Sequence, residues 1–290
     1  MKSSVTLLAM CLASVAAGQD LTTGTKPDPG QHGRPLRSDR FGLLEVNPQF
    51  FELAAGTGGD FYFWAPGEFA RAGLQLPIHG DPVLLAYGVA DGPSRSFAIP
   101  VEHGARSLTV FAGAQRKDRA VLVRPNGSIV ADASSGARLQ SFSHMLIATI
   151  DSPTAGNWRL ELAGAGKYSV SAHVSASSDG NAPALIDFDF VELGGRPAHE
   201  GWFPITRELR KGELIECSAR VSGGPISVQF AFVSGDERPI SMVPMERTEG
   251  EGNYFGRCLI PGLPFRIVVS GQDSRGLPFR RIDSALRTPQ

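Results

Sequence analysis

The sequence predicts a mainly β protein built from two tandem antiparallel β-sandwiches, the first jelly-roll-like and the second immunoglobulin-like. Two observations support this fold class: short runs of alternating apolar residues, and turn-forming dividers between those runs. Between Val121 and Val174 the dividers read Pro-Asn-Gly, Asp-Ser-Pro-Thr-Ala-Gly-Asn and Gly-Ala-Gly. Gly and Asn tolerate positive φ, and Pro presets φ for a turn. Several short strands at this spacing are typical of an antiparallel sandwich.

Composition along the chain divides it into five segments, and its 290 residues are enough for two sandwiches with their own cores. Lys2 precedes an apolar run that ends in small residues, which predicts a secretory signal peptide. A lipid-modified Cys11 is the alternative, which Met10 disfavours. The stretch that follows is polar and rich in Gly and Pro, so it predicts a disordered leader. The segments are 1–18 (signal peptide), 19–40 (leader), 41–76 (an α/β fragment), 77–175 (first sandwich) and 184–287 (second sandwich).

The α/β fragment is predicted to contain a helix, an aromatic strand and a second helix. Pro48 suits a first helical position, and the Gly-Thr-Gly-Gly run at 56–59 ends that helix. Asp60–Trp64 predicts a strand because aromatic residues favour sheets, and 66–72 predicts a second short helix. Strands are predicted at 83–87, 94–101, 108–112, 120–123, 145–150, 158–162 and 168–174 in the first sandwich. In the second sandwich they are predicted at 185–191, 214–221, 226–233, 241–245, 254–260 and 265–270.

Composition also excludes several classes of partner. The chain has 42% hydrophobic residues and a formal net charge of -1, so no charge surplus points to nucleic acid or to an anionic membrane. After the signal region no apolar run is long enough to span a bilayer, which predicts no stable membrane insertion. The mature protein is therefore expected to be secreted and extracellular.

The cysteines agree with an oxidising compartment. Cys11 leaves with the signal peptide, and Cys217 and Cys258 remain, each in a strand-like run. An even pair in an extracellular protein predicts a disulfide, and two free thiols are the alternative. A bridge between these positions would stabilise the fold by roughly 4 kcal/mol in the chain-entropy account.

No catalytic, cofactor-binding or metal-binding residue is predicted. The six histidines show no metal-ligand spacing, and no nucleophile elbow or phosphate-binding glycine loop follows a strand. Asp187 and Asp189 share one face of a predicted strand, opposite Phe188 and Phe190. This alternation predicts a half-buried strand with a solvated side, whereas paired catalytic carboxylates would have to face each other across a cleft.

Two loop features are interpreted as turns, with calcium binding as the alternative for the first and glycosylation as the alternative for the second. Loop acids such as Asp236 and Glu237 lack a calcium-ligand pattern and are expected on solvated turns. Asn126, in Asn-Gly-Ser, lies in a glycosylation sequon if the host is eukaryotic, and the same residues also suit an ordinary tight turn.

Several stretches resemble a known extracellular arrangement. The segment Glu52–Trp64 (ELAAGTGGDFYFW) resembles the last helix and strand of a von Willebrand factor A domain. The stretches FAIPVEHGARSLTVFAG, VLVRPNGSIV, SPTAGNWRLELAGAGKYSVSAHV and DFDFVELGGRPAHEG resemble the β regions after that domain, and PFRIVVSGQDSRGLPFRR resembles their end. Over about residues 45–285 the order is similar to that of hemicentins and related von Willebrand A proteins. The resemblance implies an extracellular protein associated with adhesion and matrix organisation.

The chain departs from that family at the metal site. The A domain binds a divalent cation through Asp-x-Ser-x-Ser, and the nearest stretch here, at 132–136, ends in Gly and follows no buried strand. Most of the A-domain body is also missing, so the resemblance implies no metal ligand in this chain. The packing of Phe50, Phe61, Phe63 and Trp64 decides whether the α/β fragment caps the first sandwich or exposes an apolar patch to a partner.

The leading interpretation is a secreted, non-catalytic binding or matrix-type protein. It would recognise an extracellular protein or glycan through sandwich loops or a sheet face. A stand-alone accessory module of a secreted hydrolase system is an alternative, because Gly-x-Trp followed by Tyr-Ser-Val also recurs in bacterial pre-peptidase C-terminal sandwiches. An enzyme in its own right is a third reading, which rests on Asp187 and Asp189 alone.

Overall fold

The structure, a computed structural model, describes residues 43–57, 59–65, 68, 82–92, 95–131, 136–175, 185–196, 199–283 and 285–290. The predicted signal peptide, the leader and all but one residue of the second predicted helix lie outside these ranges. The mainly β, antiparallel fold class is confirmed. The elements of the described residues are α1 (Pro48–Thr57), β1 (Pro82–Asp91), β2 (Arg95–Val101), β3 (Ser107–Val123), β4 (Ala137–Ser141), β5 (Met145–Asp151), β6 (Gly156–Ser175), β7 (Leu185–Arg196), β8 (His199–Pro204), β9 (Leu214–Val221), β10 (Ser227–Val233), β11 (Pro239–Val243), β12 (Met245–Arg247), β13 (Asn253–Leu259), β14 (Arg266–Gln272) and β15 (Pro278–Ile282).

The first sandwich is a six-stranded antiparallel sheet folded back on itself around two long strands. Its order is β1-β6-β3-β5-β4, and β2 pairs with the other end of β6. Register shifts in β3 between Ala114 and Arg116, and between Lys117 and Arg119, bend the sheet at mid-length. One core cluster then holds inward side chains from both halves, including Ile99, Leu108, Leu122, Trp158 and Val170.

The Gly-Ala-Gly stretch at 164–166 is part of β6, so the prediction of a turn there was wrong. A Cβ atom on Gly164 would lie 2.1 Å from the carbonyl oxygen of Arg116. The glycine therefore allows β6 to pass close to the bulged part of β3 without a break. The same continuity joins the two predicted strands at 108–112 and 120–123 into β3.

Residues 43–57 and 59–65, called here the N-terminal cap, cover the outer face of the first sandwich. Phe61, Phe63 and Trp64 are buried, and they share an apolar cluster with Phe111 of β3 and Met145 of β5. The strands beneath the cap, β3 and β5, are consequently buried on both faces over much of their length. This explains why their sequences contain near-continuous apolar runs.

The predicted helix of the cap is present as α1, but the predicted aromatic strand is wrong. Residues 59–65 pair with no strand of the described chain and run over the sheet as irregular backbone. Phe63 fills the space above Gly113, where a Cβ atom would lie 2.7 Å from Phe63 Cδ2. Phe50, on the opposite side of α1, is 46% exposed.

The second sandwich packs a five-stranded sheet, β12-β13-β9-β7-β8, on a four-stranded sheet, β11-β10-β14-β15. Its core is aromatic, with Phe188 and Phe190 of β7 against Phe230, Phe232 and Phe265. β9 has the bounds that the sequence predicts, because its burial alternates strictly along the strand. The predicted strand at 241–245 is interrupted at Pro244, which separates β11 from β12, and the short strands β4, β8 and β15 are additions that the sequence pattern did not predict.

The two sandwiches meet over a junction that includes the cap. Val233, Val268 and Ile282 of the second sandwich belong to the same apolar cluster as the cap aromatics. The fully buried Arg266 donates from Nη2 to the carbonyl oxygen of Ala55, 2.7 Å away, at the end of α1. The cap is therefore a wedge that contacts both sandwiches.

Two ion pairs also cross the junction. Glu102 of the first sandwich and Arg281 of the second form a buried ion pair, with Nη2 2.6 Å from Oε1 and Nη1 3.0 Å from Oε2. Arg95 lies 2.7 Å from Asp236 on the turn between β10 and β11. Both pairs join residues far apart in sequence, so each depends on how the sandwiches dock.

Candidate functional site

Within the described residues, the outer face of the five-stranded sheet of the second sandwich is covered only in part, by the β7–β8 hairpin. Along β7, Phe188 and Phe190 point into the core while Asp187 and Asp189 are exposed. This confirms the predicted half-buried strand with a solvated side. The contrast with the first sandwich, whose outer face lies under the cap, makes this face the candidate binding surface.

Strand register places an aromatic side chain among polar ones on this face. Asp189 is opposite Ser218, Ser218 is opposite Phe255, and Phe255 is opposite Glu246, so one row crosses four strands. The neighbouring row is Asp187, Arg220 and Asn253, and the row on the other side is Val191, Glu216 and Arg257. Phe255 is therefore surrounded by carboxylate, hydroxyl, amide and guanidinium groups.

Residues 192–196 and 199–203 of the β7–β8 hairpin, called here the arm, curl over this face. β7 pairs with β9 only as far as Val191, and beyond that point it pairs with β8. Trp202 of β8 reaches Phe255 of β13, with ring centroids 4.9 Å apart and planes tilted by 52°. Because β9 and β7 separate those strands in the sheet order, the contact requires the arm to bend. The facing glycines Gly194 and Gly201 suit such a bend.

An open groove of about 530 Å³ lies beside these two rings. Its lining comprises Trp202, Glu216, Pro244, Met245, Glu246, Phe255, Gly256 and Arg257. The chain crosses from β11 to β12 at Pro244 and forms one wall. A Cβ on Gly256 would lie 2.0 Å from the carbonyl oxygen of Pro244, so only glycine accommodates this crossing.

The charges at the groove are partly paired. Glu216 and Arg257 form an ion pair with Oε1 2.5 Å from Nη2, in which Arg257 remains largely exposed. Burial, followed by repulsion from Asp189, raises the pKa of Asp187 above its ordinary value, although Arg220 opposes the change. The face can therefore offer acceptors from its carboxylates and donors from its guanidinium groups next to an aromatic surface.

The predicted disulfide residues lie close together beneath this sheet. Cys217 is opposite Gly256 and Cys258 is opposite Ile215, so the cysteines are diagonal neighbours on the buried face of β9 and β13. They are unbonded thiols in this structure, and a hydrogen bond with Cys258, followed by burial, raises the pKa of the Cys217 thiol. The disulfide stays a prediction, and two titratable thiols in unreduced protein would contradict it.

Asn126 is exposed in the turn after β3, far in sequence from the groove. Its Oδ1 accepts hydrogen bonds from the backbone N–H and the hydroxyl of Ser128, at 3.0 and 2.7 Å. Gly127 has a φ of 82°, as a tight turn requires. The turn is thus present, and glycosylation of Asn126 stays a prediction.

The loop acids Asp236 and Glu237 correct another expectation, because they are not on a solvated turn. Asp236 pairs with Arg95 across the junction, and Glu237 pairs with Arg280 at 2.7 Å. Although burial opposes the change, hydrogen bonding from Ser234 and the charge of Arg95 lower the pKa of Asp236. The turn lies against the first sandwich, where a desolvated carboxylate is stable only when paired.

Within the described ranges, no group of three or more His, Cys, Asp or Glu side chains could hold a metal ion. His103 contacts Arg275 across the junction, and His173 lies under the cap with Nε2 3.9 Å from Asp60 Oδ2. No helix among the described residues is long and apolar enough to cross a membrane.

Sequence reasoning missed Trp202 and Phe255 as functional candidates. The sequence pattern places Phe255 in a predicted strand without a functional role, and Trp202 lies outside every predicted strand. A signal was available in β8, where Trp202 and Phe203 are adjacent apolar residues between Gly201 and Pro204. Their side chains point to opposite faces of β8, and they are 48% and 46% exposed.

No family model and no curated protein matches this chain. Among solved structures it is similar to a Bacillus licheniformis lipase, BlEst2, in propeptide form, with 12% identity, a TM-score of 0.31, and coverage of 77% of this chain and 48% of that one. The chain thus spans about half the length of that lipase structure. A chimeric titin Z1Z2 carrying a decorin peptide has 15% identity, a TM-score of 0.23 and coverage of 73% and 99%. A titin I-band fragment has 13% identity, a TM-score of 0.22 and coverage of 70% and 65%. At these TM-scores the likeness supports no inference about function.

Proposed function

We propose that this chain is a secreted, non-catalytic binding protein of adhesion or matrix type, which recognises an extracellular protein or glycan through its second sandwich. The observation that supports this proposal most directly is the outer face of the five-stranded sheet, which the arm covers only in part. It presents Trp202 and Phe255 in an open groove with hydrogen-bonding side chains around them. Exposed aromatic side chains beside polar groups are typical of recognition surfaces.

The first sandwich contributes support and position in this proposal. Its outer face is occupied by the cap, and the junction ties it to the second sandwich through the buried pair of Glu102 and Arg281. The hemicentin resemblance of the sequence agrees with an extracellular binding role. The predicted signal peptide accounts for secretion, and the predicted disulfide fits the same compartment.

The test is a binding screen of the mature chain against extracellular proteins and glycans, with two matched variants. Ser218→Arg places a long charged side chain beside Phe255, and Ser241→Arg places the same side chain on β11 of the opposite sheet. We expect Ser218→Arg to abolish binding of any ligand found and Ser241→Arg to retain it. Equal binding by both variants would move the site elsewhere, and no binding in any format would remove the support for this function.

A further inference from the structure

We propose that the groove binds a neutral oligosaccharide, with one sugar ring lying on the Trp202–Phe255 pair and its hydroxyl groups bonded to the polar rows beside it. This inference rests on the proposed function and names its ligand class. The aromatic pair is the first observation behind it. Trp202 is 48% exposed although it packs on Phe255, so part of its ring surface remains available to a ligand. The C–H face of a pyranose ring is apolar and stacks on such a surface.

The polar groups around Phe255 match the second property of a sugar, which is that every hydroxyl both donates and accepts hydrogen bonds. Asp189 and Glu246 are in the row of Phe255 and accept hydrogen bonds when ionised. Arg220 and Asn253 lie in the neighbouring row and supply donors. The face therefore offers both kinds of partner on the two sides of the aromatic ring.

The charge balance of the face disfavours an acidic ligand. Asp187, Asp189, Glu216 and Glu246 supply carboxylates, whereas the guanidinium groups facing the same way are those of Arg220 and Arg257. The surplus of carboxylates would repel a sulfated or uronic-acid glycan. Glu216 and Arg257 already neutralise each other at 2.5 Å, so a neutral ligand meets them as paired donor and acceptor groups.

The geometry also favours a glycan over an extended peptide. A peptide strand binds a sheet by pairing with the free backbone groups of an edge. The floor of the groove is the face of β13 and β9, which pair with β12 and β7 on their other sides, so their backbone groups are used within the sheet. The floor therefore presents side chains to the ligand, as a stacked sugar ring requires. A peptide would instead have to pair with the edge strand β12 at one side of the groove, which the peptide comparison below tests.

Tryptophan fluorescence gives a direct measurement at this site. Trp64 and Trp158 are 7% and 1% exposed, so Trp202 is the tryptophan of the described chain that acrylamide reaches. The mature chain is titrated with neutral hexasaccharides of glucose and of N-acetylglucosamine, with heparin as the anionic comparison and an apolar, lysine-containing peptide as the protein comparison. We expect a hexasaccharide to shift the Trp202 emission and to protect it from acrylamide, with little dependence on salt.

Trp202→Ala is expected to weaken saccharide binding at least about tenfold, as loss of a central aromatic contact does at other binding sites. Its matched control is Phe203→Ala, the next residue on the arm. Phe203 is exposed to a similar extent, and its side chain points to the opposite face of the strand. The control should bind within about twofold of the unmodified chain. Binding to the Trp202→Ala chain is read by calorimetry, because that variant lacks the fluorescent reporter.

Three results would overturn the inference. They are salt-sensitive binding of heparin alone, binding of the peptide alone, and no change with any saccharide in protein whose circular dichroism is unchanged. In each of these cases the wider binding function is judged separately by the Ser218→Arg and Ser241→Arg screen. A protein ligand lost with Ser218→Arg would keep the proposed function while rejecting the saccharide.

Discussion

The two sandwiches carry similar aromatic surfaces on their outer faces but use them differently. On the first, Phe111 contacts Tyr62 of the cap, with ring centroids 5.5 Å apart, and is buried. On the second, Phe255 contacts Trp202 of the arm and lies at an open groove. The two aromatic side chains differ in burial because the cap extends over its sheet, whereas the arm reaches Phe255 from one side.

The comparison separates the stabilising role of the covered face from the recognition that we propose for the open face. An aromatic side chain under the cap gains the full effect of burial on both sides, so its removal leaves a cavity. An aromatic side chain on the open face gains only part of that effect and keeps surface for a ligand. The following predictions test this division.

The largest expected effect is on the covered face. Phe63→Ala removes a fully buried ring from the centre of the cap and should lower the free energy of unfolding by about 3–5 kcal/mol. Phe255→Ala is the matched control on the open face and should cost less than about 1.5 kcal/mol. Urea denaturation followed by circular dichroism measures both. Equal losses would show that the two faces contribute alike and would contradict the comparison.

A smaller effect is expected at the junction. Glu102→Gln leaves Arg281 buried without a counter-charge, which should lower the free energy of unfolding by about 3 kcal/mol. Glu161→Gln is the control, because it breaks an exposed pair with Arg159 and should cost less than about 1 kcal/mol. Denaturation curves of both variants give the comparison. A loss at Glu102 no larger than at Glu161 would mean that the sandwiches dock without this pair.

The covered face should also respond to acid. Burial lowers the pKa of His173 below its ordinary value of 6.5, although the nearby Asp60 opposes this. The unfolded chain therefore binds a proton at higher pH than the folded chain, so the free energy of unfolding should fall as pH drops through 6.5. His173→Gln should flatten this dependence, and denaturation at about pH 7 and about pH 5.5 measures it.

Hydrogen exchange can assign that acid response to one face. Because intrinsic amide exchange is itself slower at the lower pH, protection factors are compared. Those of amides at 169–173, beneath the cap, should fall at the lower pH, while those at 253–257, on the open face, should change little. An unaltered pH slope in the His173→Gln chain would show that another group is responsible.

The smallest effect is expected at Asn126, whose side chain hydrogen-bonds only within its own exposed turn among the contacts described. Asn126→Gln should leave the melting temperature within a few degrees of the original, because surface substitutions usually change stability by less than about 0.5 kcal/mol. In chain secreted from eukaryotic cells, the substitution should lower the apparent mass if the sequon is used. An unchanged mass would contradict glycosylation at this position.

Alternation of residue types predicted much of the strand content. β9 has the predicted bounds, and Phe188 and Phe190 face the core while Asp187 and Asp189 face solvent. These features are local, because successive side chains of a strand point to opposite faces whatever packs against those faces. The same local logic failed at 164–166, where Gly164 permits close approach to Arg116 inside a continuous strand.

The sequence by itself determined the fold class, the inward and outward faces of the main strands and the absence of recognisable catalytic motifs. Tertiary structure alone decided that the cap covers one outer face and that Trp202 lies on Phe255 at the other. It also decided that Asp236 pairs with Arg95 across the junction. The alternation of apolar and polar residues shows which face of a strand is apolar. The path of the chain in three dimensions determines which distant segment, if any, packs on that face.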